Sequence, residues 1–598
     1  MLDHILSPFQ RDVEDFINLQ IQTLWGLEAD LSNLTIPPDS SYGQLSFPCF
    51  SLSKILKKSP VEIAQTLASH WKSTPNTTLA KVDTVGPYLN FFLNPSSTLN
   101  DLYLSIISED FFHLPLTKAP QTLDLEYSQP NTHKALHVGH LRCLYLGDSL
   151  GRILKRVGHK VICTTYVGDT GTHILKILWY IKSVDPSILT TYKTIEKSKR
   201  SQWLGNLYTL SAQAYSDQKP PLKEIALEWK KEGSELHSFW EETRKWSLEE
   251  MHHLYDWSDV SFHRWFYESE LETSCIDLVR KNLELGLFCR DDGAIGIDLS
   301  PYDLGFSIVL TSDDRPLYLT KDLQLIQEKF DTSSLKDELK NQNIDTSIVV
   351  VDSRQTLHFK QVFKISQIIG FNPDFVHIAY ETVNNSEGHP FSSRELSGTT
   401  IHQLIQSINE ALWTHYLQHK NPENLDIVQK TLAHGALRYG MLKYDTQTPV
   451  QFSLSDWIKL EGQTGPYLQY VCARCHSLLD KFQDVFSTSQ DDKDKISSVY
   501  QTVINENNYV FSSGETQLLF LISQLNQIIL KAGTLLKPHI IAQYLFQVAK
   551  LFNQFYELSP IQGSTDLEKK IRLGITYITH KSLIHGMSLL GMGHLKKM

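Results

Sequence analysis

The stretch from residue 121 to residue 158 constrains the fold of this chain more than any other. Residues 121–127 alternate apolar and polar side chains as a short strand does, Pro130 breaks the pattern, and residues 138–157 read as a helix that stops at Gly158. Between the two lies Glu126-Tyr-Ser-Gln-Pro-Asn131-Thr-His-Lys134-Ala-Leu-His137-Val-Gly-His140. His137 and His140 bracket a helix N-terminus, where unpaired backbone N–H groups and the positive end of the helix dipole favour phosphate. Gly139 removes a side chain that would block close approach of a nucleotide. Two imidazoles and the Lys134 ammonium can then follow negative charge as it grows on a phosphorus under attack. The plainer reading is a pair of surface histidines beside a helix start.

At 598 residues the chain is too long for one hydrophobic core and should divide into three or four domains. Hydrophobic content of 41% with 21% charged residues is ordinary for a soluble globular protein. Seven cysteines, an odd number and scattered, with no apolar leader after Met1, point to a reducing cytoplasm. No stretch approaches the roughly 20 apolar residues of a membrane span, and no metal-binding cluster stands out. A net charge of −11 argues against coating nucleic acid by bulk attraction, so any such partner must meet local basic patches. Candidates are Lys54 with Lys57 and Lys58, then Lys197 with Lys199 and Arg200, and Lys569 with Lys570 and Arg572.

Residues 1–115 read as a small α+β domain, with a strand pair around Val82 and Phe92. From residue 116 to 405 short apolar runs alternate with helices. Val161-Ile-Cys-Thr-Thr-Tyr166, Ser347-Ile-Val-Val-Val351 and Val376-His-Ile-Ala-Tyr380 have the composition of buried parallel strands. A polar stretch rich in Trp, Lys and Glu reads as inserted helices, about residues 183–285, and Asp291-Asp292-Gly293 as the turn of a hairpin. The fold class is therefore α/β, a Rossmann-like nucleotide fold interrupted by an insertion. Residues 406–598 read as all-helical.

The Glu126–His140 segment resembles the HIGH signature of class I aminoacyl-tRNA synthetases, and Ser128-x-Pro-Asn-x-x-Lys134 ahead of it resembles the arginyl branch. The resemblance covers nearly the whole chain. It implies an N-terminal domain set against the tRNA elbow, a class I catalytic domain and a helical anticodon-binding domain. The implied substrates are L-arginine, ATP with Mg2+, and tRNA(Arg), with no prosthetic group, no membrane and a monomeric chain. His137, His140 and Lys134 would be catalytic; Val138, Gly139, His377 and Arg394 would serve ATP.

Discrimination of arginine from lysine needs carboxylates placed for paired hydrogen bonds to a planar guanidinium. Tyr318 and Asp322 are i,i+4 neighbours at a helix start and match the family's Tyr-x-x-x-Asp, giving an aromatic wall and a carboxylate. Without the family match, a helix N-terminal turn with a cap-like Asp is the better explanation of that pair. Gln355 matches a glutamine that helps hold the amino acid. Asn131 would meet the α-amino and carboxyl groups, Glu126 would fix Asn131 or reach the substrate, and Glu268 resembles a second guanidinium carboxylate. Tyr166-Val-Gly168-Asp169-Thr-Gly171 resembles a family turn near the nucleotide.

The family's second signature, KMSKS, corresponds here to His389-Pro-Phe-Ser-Ser-Arg394-Glu-Leu-Ser-Gly398, which holds no lysine. Lys134 is expected to take over that task, as a lysine ahead of the HIGH signature does in many arginyl enzymes. Cys472-Ala-Arg-Cys475-His476 spells a haem-attachment pattern but reads as chance cysteines on a helix. Arg438, Tyr439, Tyr470 and Arg474 are candidates for reading the anticodon. Two rivals stand beside the ligase reading: a paralogue that makes another adenylate, and a catalytically silent tRNA-binding protein.

Overall fold

The computed structural model describes residues 6–72, 77–312, 315–371, 373–385, 388–389, 400–418, 424–487, 489–506 and 508–598. The chain forms two compact units, one made of residues 119–155 and 159–458, the other of residues 1–118, 156–158 and 459–598.

The first unit is built on a five-stranded parallel sheet: β1 (Thr122–Glu126), β2 (Lys160–Val167), β3 (Arg264–Tyr267), β4 (Thr346–Asp352) and β5 (Asp374–Tyr380), in spatial order β5-β4-β1-β2-β3. The chain winds outward through β2 and β3, then returns to the other side of β1. That reversal creates a switch point between β1 and β4, where open α/β sheets bind ligands at the carboxyl ends of their strands. Helices cover such a sheet, so its strands are buried: every residue of β1, and all but Asp352 in β4.

Helix α1 (Val138–Val157) follows β1 and ends at Gly158, whose φ of 116° only glycine tolerates well. It lies so close to the sheet that a methyl group on Gly147 would fall 2.0 Å from the Tyr127 ring. The insertion is helical, with Thr172–Ser183, Arg200–Gln218, Lys223–Trp229 and Glu235–Trp257 packed on a core that includes Trp179, Tyr192, Tyr208, Trp229, Phe239 and Trp246. The expected hairpin is present as Cys289–Asp291 and Ala294–Asp298, extended by Phe306–Leu310 into a three-stranded antiparallel sheet. Asp292 and Gly293 both have positive φ, the geometry a two-residue hairpin turn requires. α2 (Tyr318–Phe330) and α3 (Thr356–Ile368) complete the framework of the site.

Residues 406–458, grouped by sequence with the C-terminal helices, lie in the unit of the parallel sheet. The helix Leu425–Leu442 is held there by Arg438, whose guanidinium is fully buried and sits 2.6 Å from Asp148 on α1.

The second unit contains a three-stranded antiparallel sheet (Leu45–Pro48, Tyr88–Leu93 and Leu79–Val85, in that order) and the C-terminal helices. The two ends of the chain share one core here: Tyr103 meets Tyr500 at 5.5 Å between ring centres, and Phe9 meets Phe520 at 6.0 Å. Cys472 and Cys475 are free and buried inside the helix Gly465–Lys481, so that pair is core packing. Among the described residues no single helix is long and apolar enough to cross a membrane.

Candidate active site

The site gathers at the carboxyl edge of the sheet. Asn131 follows β1, the turn Gly168-Asp-Thr-Gly171 follows β2, Glu268 follows β3, and Gln355 and His358 follow β4. Asn131 and Gly168 pair through the backbone, with the Thr132 N–H donating to the Gly168 carbonyl at 2.9 Å. A methyl group on Gly168 would lie 2.2 Å from Asn131 Oδ1 and 3.8 Å from Glu268 Oε2. One on Gly171 would lie 3.5 Å from the Tyr318 hydroxyl and 4.0 Å from Glu268 Oε2. The amide, the phenol and the carboxylate thus converge over one turn whose glycines leave room for them. Asn131, Lys134 and Tyr318 also line a single cleft of about 620 Å³.

Each carboxylate near this turn is held from behind by a base. Lys321 reaches Glu268 at 3.0 Å and donates to Thr170 Oγ1 at 3.2 Å. His358 Nε2 lies 2.5 Å from Asp322 Oδ2. Asp169 is buried beside Arg244 at 2.6 Å and accepts from the backbone N–H and hydroxyl of Ser269. Tyr166 places an enclosed hydroxyl with no hydrogen-bond partner among these groups. Its phenol is pushed well above its ordinary range by burial and then by Asp322, Glu268, Glu126 and Asp169.

The histidine pair sits at the start of α1 with ring centres 4.1 Å apart. The Gly139 N–H donates to His137 Nδ1 at 3.1 Å, and the His137 N–H donates to His140 Nδ1 at 3.1 Å. His137 therefore carries its proton on Nε2, whereas His140 Nδ1 faces both the His137 N–H and, at 3.3 Å, the His137 carbonyl. Burial, then the nearby Lys134, lowers His137 to about 4, and burial and His137 hold His140 well below its ordinary value, so both are neutral at pH 7. Lys134 extends over the Tyr208 ring at 5.2 Å. The backbone of His137 also pairs with Thr400, and the Ile401 N–H donates to the Leu136 carbonyl at 3.0 Å.

Several sequence expectations are relocated. Glu126 does not face Asn131: it is buried against Lys329 at 2.5 Å and accepts from Gln129 at 2.9 Å. Lys329 also holds Asp124 at 2.9 Å; burial opposes its charge, but the two carboxylates outweigh burial and raise it. Gly139 makes room for the His137 ring, which a methyl group there would approach to 2.9 Å. Val138 is buried as the first residue of α1. His377 lies in mid-strand, three residues short of the end of β5, its ring stacked on Phe359 of α3 at 5.4 Å. Gln355 is exposed at the carboxyl end of β4, and Tyr318 is 62% exposed at the start of α2. Arg394 and its loop lie outside the described residues. Arg438 and Tyr439 are buried in the core and cannot stack on an anticodon.

Lys321, Lys329 and His358 escaped the sequence reading as site components, and Tyr166 entered it only within the turn near the nucleotide. Lys321 and Lys329 share α2 with Tyr318 and Asp322, and lysines on a helix that must lie against a sheet edge are a usable signal.

A parallel sheet with reversed winding, a histidine pair at the first helix and a long helical insertion define a class I tRNA synthetase. The family model "tRNA synthetases class I (R), catalytic domain" matches residues 105–454, the "Arginyl tRNA synthetase N terminal domain" residues 11–93, and the "DALR anticodon binding domain" residues 468–598. The chain belongs to the arginyl-tRNA synthetase family. It is 34% identical over 582 residues to an arginine-tRNA ligase of Bdellovibrio bacteriovorus, covering 94% of each chain. It is 28% identical to one of Treponema denticola, covering 95% of each. In fold it is similar to the arginyl-tRNA synthetase structure of Thermus thermophilus, with a TM-score of 0.74 at 22% identity over 98% of this chain and 100% of that one.

Proposed function

We propose that this protein activates L-arginine with ATP and transfers the arginyl group to the terminal adenosine of tRNA(Arg), acting as a monomer in the cytoplasm. The observation that carries the reading is the single cleft shared by Asn131, Lys134 and Tyr318, since it puts an amino-acid-binding amide, a phosphate-binding ammonium and an aromatic wall within one ligand's reach. Beneath it, Glu268 supplies one carboxylate for the guanidinium, and Asp322 supplies the other through the oxygen His358 leaves free.

In this reading the arginine carboxylate attacks the α-phosphorus of ATP, and pyrophosphate leaves. His137 donates from Nε2 to the transferring phosphoryl with the His140 ring beside it, and because both rings are neutral they act without adding charge at the helix start. Lys134 supplies a full positive charge beside them. Magnesium would arrive with the triphosphate as part of the substrate. Gln355, at the end of β4, lies where the substrate's α-amino group would be held.

ATP–pyrophosphate exchange tested with each amino acid, with and without tRNA, checks this. Exchange is expected with arginine and no other amino acid, and only when tRNA is bound, as the family resemblance implies; a His140→Ala variant should lose about 100-fold or more in kcat. Lys134→Ala should depress activation while leaving tRNA binding nearly intact. Tight tRNA binding with no charging of any amino acid would favour the silent RNA-binding alternative, which the lysine-free loop motivates.

A further inference from the structure

The insertion reaches back into the arginine pocket through one helix face. On the helix Glu235–Trp257, residues Trp240, Thr243, Arg244 and Ser247 recur at i, i+3, i+4 and i+7 and so point the same way. Two of them hold the guanidinium end. Arg244 Nε lies 2.6 Å from Asp169 Oδ2, and the Trp240 indole N–H donates to the Asp169 carbonyl at 2.9 Å. Asp169 is fully buried and accepts in turn from the Ser269 backbone N–H at 2.8 Å and the Ser269 hydroxyl at 2.7 Å. Those bonds fix the first turn of the helix Glu268–Glu284, and with it the Glu268 carboxylate.

The other two hold the segment that carries Asn131. The Thr243 hydroxyl gives its proton to the Phe239 carbonyl at 2.7 Å and so accepts from His133 Nε2 at 2.8 Å, while Ser247 Oγ accepts from the His133 N–H at 3.0 Å. His133 is two residues beyond Asn131 and has a φ of 64°, a left-handed conformation that a residue with a side chain seldom adopts. Such a conformation persists where the surroundings over-determine it, and here the insertion helix meets both the ring and the backbone.

We propose that this helix face is the ruler for side-chain length in the pocket, with Arg244 as a positioning residue at the guanidinium end and Ser247 as one at the α-amino end. The proposal rests on the arginine-activating reading above, in which Asn131 meets the head of the amino acid and Glu268 its guanidinium. Both residues act through a neighbour, Arg244 through Asp169 and Ser247 through His133. A carboxylate by itself attracts a cation on a three-methylene stem and on a four-methylene stem alike; a fixed span between the two ends separates them. One helix bonded to both ends supplies that span, since its rise per residue is set by its own hydrogen-bond ladder. The Arg244 guanidinium also lies over the Tyr267 ring at 4.4 Å, at the end of β3, so its place is set by the sheet as well.

ATP–pyrophosphate exchange with tRNA(Arg) present gives kcat/KM for L-arginine and for L-homoarginine, one methylene longer, in wild type, Arg244→Met and Ser247→Ala. Wild type is expected to prefer arginine by about 10–200-fold, the range that one methylene supports in a fitted pocket. In each variant that preference should fall at least about fivefold, with the loss for arginine carried mainly by KM. The ratio is taken within one preparation, so it does not depend on how much of a variant is folded, and loss of a merely structural contact lowers both substrates alike. An unchanged ratio in either variant, a loss confined to kcat, or a wild type indifferent to the extra methylene would each overturn the proposal. Wild type inactive with arginine would sink the functional reading and the ruler together; wild type that activates arginine, beside variants with its own ratio, sinks the ruler alone.

Discussion

Two groups of carboxylates, one inside the sheet and one at its edge, are neutralised in different ways. Asp124 and Glu126 of β1 share Lys329; all three side chains are almost completely enclosed, and Ser347 and Thr164 donate to Asp124. Glu268, just past the end of β3, and Asp322, on α2, each have one base beside them; the Glu268 side chain is 4% exposed and the Asp322 side chain 17%. The interior group is closed and has nothing left to offer a ligand. The edge pairs keep a free oxygen. The number of partners around each carboxylate therefore separates the two groups.

The contrast breaks most visibly in Lys329→Met, which leaves two buried carboxylates without a cation. It should cost about 3–5 kcal/mol of stability in urea unfolding, because the desolvation cost remains when the attraction is removed. A variant as stable as wild type would show that the interior charges are not what braces the sheet. Asp322→Asn should do the reverse, leaving unfolding nearly unchanged while lowering kcat/KM for arginine by about 2–4 kcal/mol. Normal arginine kinetics in that variant would remove Asp322 from the pocket. His358→Ala sharpens the edge description: it frees the second oxygen of Asp322 to wander, so KM for arginine should rise by about 1.5 kcal/mol with kcat less affected.

The smallest effect is a pH dependence. Burial lowers His133 to about 3 and His137 to about 4, so these rings are neutral when folded, while the unfolded chain takes up protons near 6.5. Their stabilisation is present above pH 6.5 and is lost as pH falls toward the folded values. Urea unfolding should show stability dropping by under about 1 kcal/mol per such histidine between pH 7 and pH 6. A profile flat over that interval would contradict their burial as neutral groups.

Much of the frame was legible because local signals agreed with the global fold. Pro130 and Gly158 bracket α1 as expected, the Ser347 and Val376 runs are neighbouring parallel strands of the sheet, and Asp292-Gly293 makes its turn. β3 went unread, since four residues beginning with an arginine and two aromatics carry no alternation to separate them from the helices before them. At the site, spacing and resemblance to the arginyl branch singled out Tyr318, Asp322 and Asn131, of which Asn131 and Tyr318 line one cleft. Glu126 was misplaced because its partner, Lys329, lies some 200 positions away, and pairing at that distance leaves no mark in local pattern. His358 was in view beside Gln355, but its task follows only from α3 passing α2.

Gly147 is one position where a single atom would be too many. With the Tyr127 ring already in the space a side chain needs, α1 cannot slide or roll on the sheet without collision. The two imidazoles at its tip are thus indexed to the strand by a contact ten residues downstream of His137. In a saturation library that position should tolerate glycine alone, and charging would vanish there in proteins whose every chemical group is intact.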